Sequence, residues 1–229
     1  MRYLVVIFIC ILSTFQSYSQ INELGVFVGG SNLIGDIGST NYIAPNSAAL
    51  GILYKWNRSE RHSYRLALTF TDLEGQDSKS DDQRRINRDY EFNTRITELS
   101  LGMEFSFVEF DLHNGGFKST PYIFGGVSVA RHKNAFFSNG VQTDEGTDSF
   151  AFGIPIGLGF KAAISDHLIL AGEVVLRYTF SDELDASMPD ADERRNLSVG
   201  NINNNDWYTF TGVTLTYTFG RNPCYCVGE

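Results

Sequence analysis

Along most of the chain, apolar and polar positions alternate with a period of two. Leu50, Ile52, Tyr54 and Trp56 share one side of residues 49–56, and Tyr64, Leu66, Leu68 and Phe70 share one side of residues 64–71. The same holds for Leu99, Leu101, Met103, Phe105 and Phe107 in residues 97–107, and for Phe152, Ile154, Ile156, Leu158 and Phe160 in residues 150–161. Leu168, Leu170, Val174, Leu176, Tyr178 and Phe180 mark a further segment, and Val213, Leu215, Tyr217 and Phe219 the last one. Residues 23–29 open the pattern, while residues 121–131 are Gly-rich and their apolar face is ambiguous. A period of two predicts strands, whereas a helix needs 3.6. The reading is eight strands, with no segment showing good helical periodicity.

The opposite side of these strands decides the fold. It carries Gly, Ala, Ser and Thr together with Glu23, Lys55, Arg65, Glu98, Glu104, Lys161, Glu173 and Arg177, four acids and four bases. A soluble sandwich would turn its oily face inward and crowd its outer face with Lys and Glu, not with a row such as Gly153, Gly157 and Gly159. An apolar outer band around a small, polar, charge-balanced interior is the pattern of a transmembrane barrel. The expected fold is therefore all-β: an eight-stranded antiparallel transmembrane β-barrel with a plugged, charge-paired lumen. Eight strands enclose room for side chains and little else, so the lumen is expected not to conduct. The eight charges are tolerable there only when paired.

Connection lengths give an independent indication. Residues 31–46, 74–93, 134–148 and 181–205 form long connections, 57–62 and 164–166 short ones, and 111–119 an intermediate one. Long extracellular loops alternating with short periplasmic turns place both termini in the periplasm. Aromatic girdles are expected from Tyr54, Trp56, Tyr64, Tyr122, Tyr217 and Phe219 on the periplasmic side, and from Tyr178, Phe180 and Trp207 outside. The alternating strand that ends at Phe219 resembles a barrel-assembly signal, and residues 221–229 remain as a periplasmic tail.

The N-terminus explains how such a chain would reach an outer membrane. Arg2, the apolar run from Tyr3 to Leu12 and the small residues around Ser17 and Ser19 read as a signal peptide over residues 1–19. The barrel is then residues 20–220. Cys10 follows Ile9 inside the apolar run, which argues against lipoprotein processing, and its removal leaves Cys224 and Cys226. No later segment is long and apolar enough for a transmembrane helix. The 229-residue chain has 27 acids against 18 bases, a net charge of −9. With no basic cluster, nucleic acid is an unsuitable partner.

Chemical machinery is sparse. No Gly-rich loop carries the Lys and Ser/Thr of a phosphate site, and His62, His113, His132 and His167 show no metal-ligand spacing. Asp81, Asp82, Asp190, Asp192 and Glu193 are mixed with Arg84, Arg85, Arg194 and Arg195, and read as solvated or lipopolysaccharide-facing loops. No Ser, His and Asp fall into a catalytic motif, so neither enzyme nor cofactor is expected. Cys224-Tyr225-Cys226 would form a small strained ring if oxidised, and an idle pair or a link to a periplasmic partner are both open.

Several segments carry a family resemblance: Gly35-Asp36-Ile37-Gly38, Tyr54-Lys55-Trp56-Asn57-Arg58, Glu98-Leu99-Ser100-Leu101-Gly102, Asp111-Leu112-His113, Thr120-Pro121-Tyr122 and Arg221-Asn222-Pro223-Cys224-Tyr225. Together they resemble the PorG-like outer-membrane barrels of the Bacteroidetes type IX secretion system, over about residues 22–225. The resemblance implies association with the periplasmic ring proteins PorK and PorN, or GldK and GldN in gliding bacteria, in a machine that exports adhesins, enzymes and gliding-motility components. It brings no catalytic residue with it. Asp111, His113, Cys224 and Cys226 are the expected periplasmic interface, because they lie on the longest periplasmic turn and on the tail. Outer-membrane lipid and lipopolysaccharide are the other expected partners. The alternative is a stand-alone barrel of the OmpA/OmpX type, working through its extracellular loops.

Overall fold

A computed structural model describes residues 21–112, 117–201 and 205–220. The expected signal peptide and C-terminal tail lie outside the described residues. Eight strands run in order: β1 (Ile21–Ile34), β2 (Ser47–Asn57), β3 (His62–Gln76), β4 (Glu91–Ser106), β5 (Ser119–Ser138), β6 (Val141–Ala163), β7 (Leu168–Thr179) and β8 (Trp207–Phe219). Each pairs antiparallel with its sequence neighbour, and β8 closes on β1 from Asn22↔Phe219 to Ile34↔Trp207. Closure removes every sheet edge within the wall, and this is what lets strands cross hydrocarbon. Ile21 and Phe219 lie at the same end of the barrel, hereafter the near end.

The burial of side chains is inverted relative to a soluble protein. Glu98 is 0% exposed and Leu158 66%. Leu24, Leu50, Leu66, Leu101, Ile123, Leu170 and Leu215 are all exposed, and every one faces outward on its strand. Tyr54, Trp56, Tyr64, Phe105 and Tyr217 border this belt toward the near end, and Phe70, Phe152, Tyr178 and Trp207 toward the far end. An apolar belt with aromatic borders around a buried ionic interior is stable only when hydrocarbon surrounds it.

Three features depart from the sequence expectations. Tyr122 does not join the near-end girdle; it is 1% exposed and points into the lumen. Apolar residues of both parities in residues 121–131 concealed this. Residues 134–148 are not a loop. β5 and β6 continue past the wall as a hairpin turning at Asn139 and Gly140, both with positive φ. That backbone suits a two-residue turn, and Asn-Gly adopts it with little strain. The lumen is also not polar throughout. Toward the far end Phe27, Leu53, Leu73, Phe92, Ile96 and Phe210 form an apolar core, and the connections add Ile37, Leu184 and Ala186 to it. Buried apolar contact is what holds those connections down over the mouth.

The connections contain short helices that the periodicity did not reveal. Helix α1 (Gln83–Arg88) lies between β3 and β4. Asp82 caps it by accepting from Arg84 N at 2.9 Å. A 3₁₀ helix follows at Asp192–Leu197.

Leu101→Arg places a cation at the middle of the outward face of β4. It should destabilise the barrel by about 2–4 kcal/mol in a bilayer, read from urea unfolding. The same substitution at Gln83, above the wall, should be near neutral.

Candidate functional site: a sealed lumen and its two mouths

The eight charged residues singled out from the sequence are all buried in the lumen. Register brings three of them side by side, since Glu23 faces Lys55 across β1–β2 and Lys55 faces Arg65 across β2–β3. Glu104 on β4 is the hub of the near half. Its carboxylate lies 2.7 Å from Lys55 Nζ, 3.4 Å from Arg65 Nη1 and 3.6 Å from Lys161 Nζ. Arg65 also donates through both terminal nitrogens to Glu173, at 2.6 and 2.7 Å. Such a two-point fork fixes orientation as well as charge. Tyr122 Oη donates to the same Glu173 at 2.6 Å. Higher in the lumen Arg177 pairs with Glu98 at 3.1 Å, and Tyr208 Oη donates to that carboxylate.

Glu23 differs from the other seven. It accepts from Asn57 Nδ2 at 2.8 Å and from Thr216 Oγ1 at 2.7 Å, neutral donors on β2 and β8. Its charge is therefore held by hydrogen bonds and not by a direct ion pair among the described residues.

Aromatic rings fill the space that the charges leave. Lys55 and Lys161 stand 5.5 and 5.4 Å from the Tyr122 ring centre, Arg65 4.9 Å from Phe124 and Arg177 4.0 Å from Phe210. Cations over ring faces gain further attraction when water is excluded. The inward glycines make room for these rings. A Cβ at Gly159 would come within 2.3 Å of Tyr122 Cζ, and one at Gly102 within 2.7 Å of Phe124. Tyr122 and Tyr208 were missed from the sequence. Tyr208 could have been found by counting parity back from outward-facing Val213, which turns even positions of β8 inward.

Both mouths are covered. At the near end, Phe110 from the β4–β5 turn is buried beneath Lys161, whose Nζ is 5.0 Å from its ring, and Phe110 N donates to Glu60 O at 2.9 Å. Asp111 lies beside it, 3.8 Å from Lys118 Nζ across the same turn. His113, Cys224 and Cys226 lie outside the described residues, so of the four expected interface positions the structure places Asp111 alone.

At the far end, aspartates accept backbone amides of the connections, both across neighbouring connections and within one. Asp185 accepts from Asp36 N at 2.7 Å and Ile37 N at 3.2 Å, and Asp206 accepts from Leu184 N at 3.0 Å. Asp77 accepts from Gly38 N at 2.9 Å and pairs with Arg88 at 2.7 Å. Burial raises the pKa of Asp185 and, with repulsion from Asp185 and Asp182, lifts Asp206 well above the usual carboxylate range. Burial and the neighbouring Asp185, Asp36 and Glu183 push Asp182 up to about 8. Among the described residues no group of three or more His, Cys, Asp or Glu has metal-holding geometry.

A closed antiparallel barrel with a lipid-facing belt and a sealed ionic lumen defines an outer-membrane-type transmembrane barrel. The chain belongs to the family described as a domain of unknown function, DUF6089, whose model matches residues 1–228. No curated protein matches it. Among solved structures it is similar to Ail, the attachment invasion locus protein of Yersinia pestis, crystallised with the heparin analogue sucrose octasulfate. That match has 10% identity, covers 88% of this chain and 100% of Ail, and has a TM-score of 0.48. It is similar at 12% identity to the N-terminal barrel domain of Pseudomonas aeruginosa OprF, covering 89% and 100% at a TM-score of 0.45. A major outer membrane protein of Thermus thermophilus matches at 12% identity over 88% and 100%, with a TM-score of 0.46.

Glu104→Gln leaves Lys55, Arg65 and Lys161 without their shared counter-charge and should cost about 3–5 kcal/mol in bilayer unfolding. Glu23→Gln, which breaks no direct ion pair, should cost about 1 kcal/mol. The far cap should respond to pH. A carboxyl with a raised folded-state pKa binds its proton more tightly when folded, so its contribution is full at low pH and is lost as pH rises toward about 8 for Asp182. Amide exchange in residues 182–187, corrected for intrinsic rate, should show more opening at pH 8 than at pH 5, and Asp182→Asn should reduce that difference.

Proposed function

We propose that this protein sits in the outer membrane with its near end in the periplasm. There it serves as the barrel of a type IX secretion system, tying the periplasmic PorK/PorN or GldK/GldN ring to the membrane. The observation that carries the reading is the double seal. A lumen filled by ion pairs and closed by Phe110 below and the aspartate cap above offers no passage, so the barrel's outer faces are left to do its work. A rigid post suits an anchor. The PorG-like motifs support the same reading. Gly35-Asp36-Ile37-Gly38 builds the far cap, Lys55 and Asn57 of the Tyr-Lys-Trp-Asn-Arg segment hold Glu104 and Glu23, and Asp111 lies at the near mouth.

A second reading, a stand-alone barrel of the OmpA/OmpX type acting on surfaces, is favoured by the β5–β6 hairpin, which rises beyond the last β6–β7 pair at Gly153↔Thr179. Cells expressing a chain with Asp111→Lys and without residues 221–229 separate the two. The anchor reading expects the barrel to insert while co-purification of ring subunits and protein secretion fall. Retained ring capture and secretion by this chain, together with loss of surface binding when residues 134–148 are shortened, would favour the second reading.

A further inference from the structure

One connection at the far end behaves unlike the others. On β1 the even positions Leu24, Val26 and Val28 face lipid, and Asn32 continues that parity. Asn32 should therefore be exposed, yet it is only 3% exposed. The β1–β2 connection covers it. Asn32 Nδ2 donates to Asn41 O at 2.9 Å and to Tyr42 O at 3.4 Å, and its Oδ1 accepts from Ala44 N at 3.3 Å. Two residues earlier on the same outward side, a Cβ added at Gly30 would come within 2.6 Å of Pro45 Cβ. Residues 41–45 thus lie against the outside of the wall and not over the mouth.

Their height matters. Gly30 pairs with Ala48, one outward position above the lipid-facing row formed by Val28, Leu50 and Phe70. That step is about 7 Å along a strand. Tyr42 and Ile43 in this segment are 57% and 58% exposed. Composition sets the connection apart as well. From residue 37 to residue 54 the sequence has no charged side chain. The β3–β4 connection, by contrast, carries Asp77, Lys79, Asp81, Asp82, Arg84 and Arg85. A charge-free segment can approach hydrocarbon at little desolvation cost, and a Tyr beside an aliphatic residue suits the boundary between headgroups and acyl chains.

We infer that the β1–β2 connection is a lateral membrane foot: Asn32 pins residues 41–45 to the wall, and Tyr42 and Ile43 insert into the lipid leaflet around the far end. The occupant of this surface is lipid, because the surface continues the apolar row directly below it and lacks charge. The foot widens the lipid contact on the β8–β1–β2 side alone, which would set the depth and tilt of the barrel in the membrane.

Depth-resolved fluorescence tests this. The native tryptophans are Trp56 and Trp207. In a full chain carrying Trp56→Phe and Trp207→Phe, a single Trp is introduced by Tyr42→Trp, by Ile43→Trp or, as a solvent reference, by Gln83→Trp. The proteins are reconstituted in phosphatidylcholine vesicles with or without bromines near the headgroup end of the acyl chains, and folding is checked by heat-modifiable gel mobility. Tyr42→Trp and Ile43→Trp should emit further to the blue than Gln83→Trp and be quenched about twofold more by the brominated lipid. Adding Asn32→Ala should return both to the reference with the barrel still folded. Quenching equal to the reference in both variants would overturn the inference. So would a blue shift that appears only at high protein-to-lipid ratio, which would assign the surface to a second copy.

Discussion

The structure depends on three buried carboxylates, Glu98, Glu104 and Glu173, paired with four buried bases, while a fourth, Glu23, is held by neutral hydrogen-bond donors. Water is excluded on one side by the packed lumen and on the other by lipid, so any charge left alone would be prohibitively costly. Glu104 binds strands β2, β3 and β6 to β4 through Lys55, Arg65 and Lys161. Arg65 carries the linkage on to β7 through Glu173, and Arg177 joins β7 back to β4 through Glu98. The wall is closed by backbone hydrogen bonds, and the same circle is braced from within by ion pairs.

That brace also decides what the barrel can do. The space between the pairs is taken by Tyr122, Phe124, Tyr208 and Phe210, and glycines on facing strands admit the rings. The far half is an apolar core to which the connections contribute Ile37, Leu184 and Ala186. Buried aspartates then organise the cap by accepting backbone amides across connections. That arrangement crowds carboxyl groups together, which makes the cap sensitive to pH. Chemistry and contact are thereby displaced to surfaces: the near-end turn, the projecting hairpin and the flank where residues 41–45 meet lipid.

Much of this was legible in the sequence, and the reason is the period of the strand. Glu98, Ser100, Gly102 and Glu104 alternate with Leu99, Leu101, Met103 and Phe105, so the position of one residue fixes the side of all the others. All eight charged positions could be placed by that count. Where both parities are apolar the count fails, as at Tyr122 and Phe124 on either side of Ile123. The partner of each charge was not legible, because Glu104 and Lys161 meet across the lumen and not along a ladder. Glu23 shows the consequence: balanced composition suggested a base beside it, but Asn57 and Thr216 were nearer. The cap was hidden for a related reason, since Asp36, Asp77, Asp185 and Asp206 are brought together from three separate connections.

The odd face of β4 meets lipid and the even face is sealed inside. Nitroxide labels placed one at a time at positions 98 to 104, with oxygen and a water-soluble nickel chelate as relaxation probes, read this directly in bilayers. High oxygen accessibility is expected at 99, 101 and 103, and low accessibility to both probes at 98, 100 and 104. High nickel accessibility at the even positions, or oxygen accessibility with the opposite phase, would contradict this orientation.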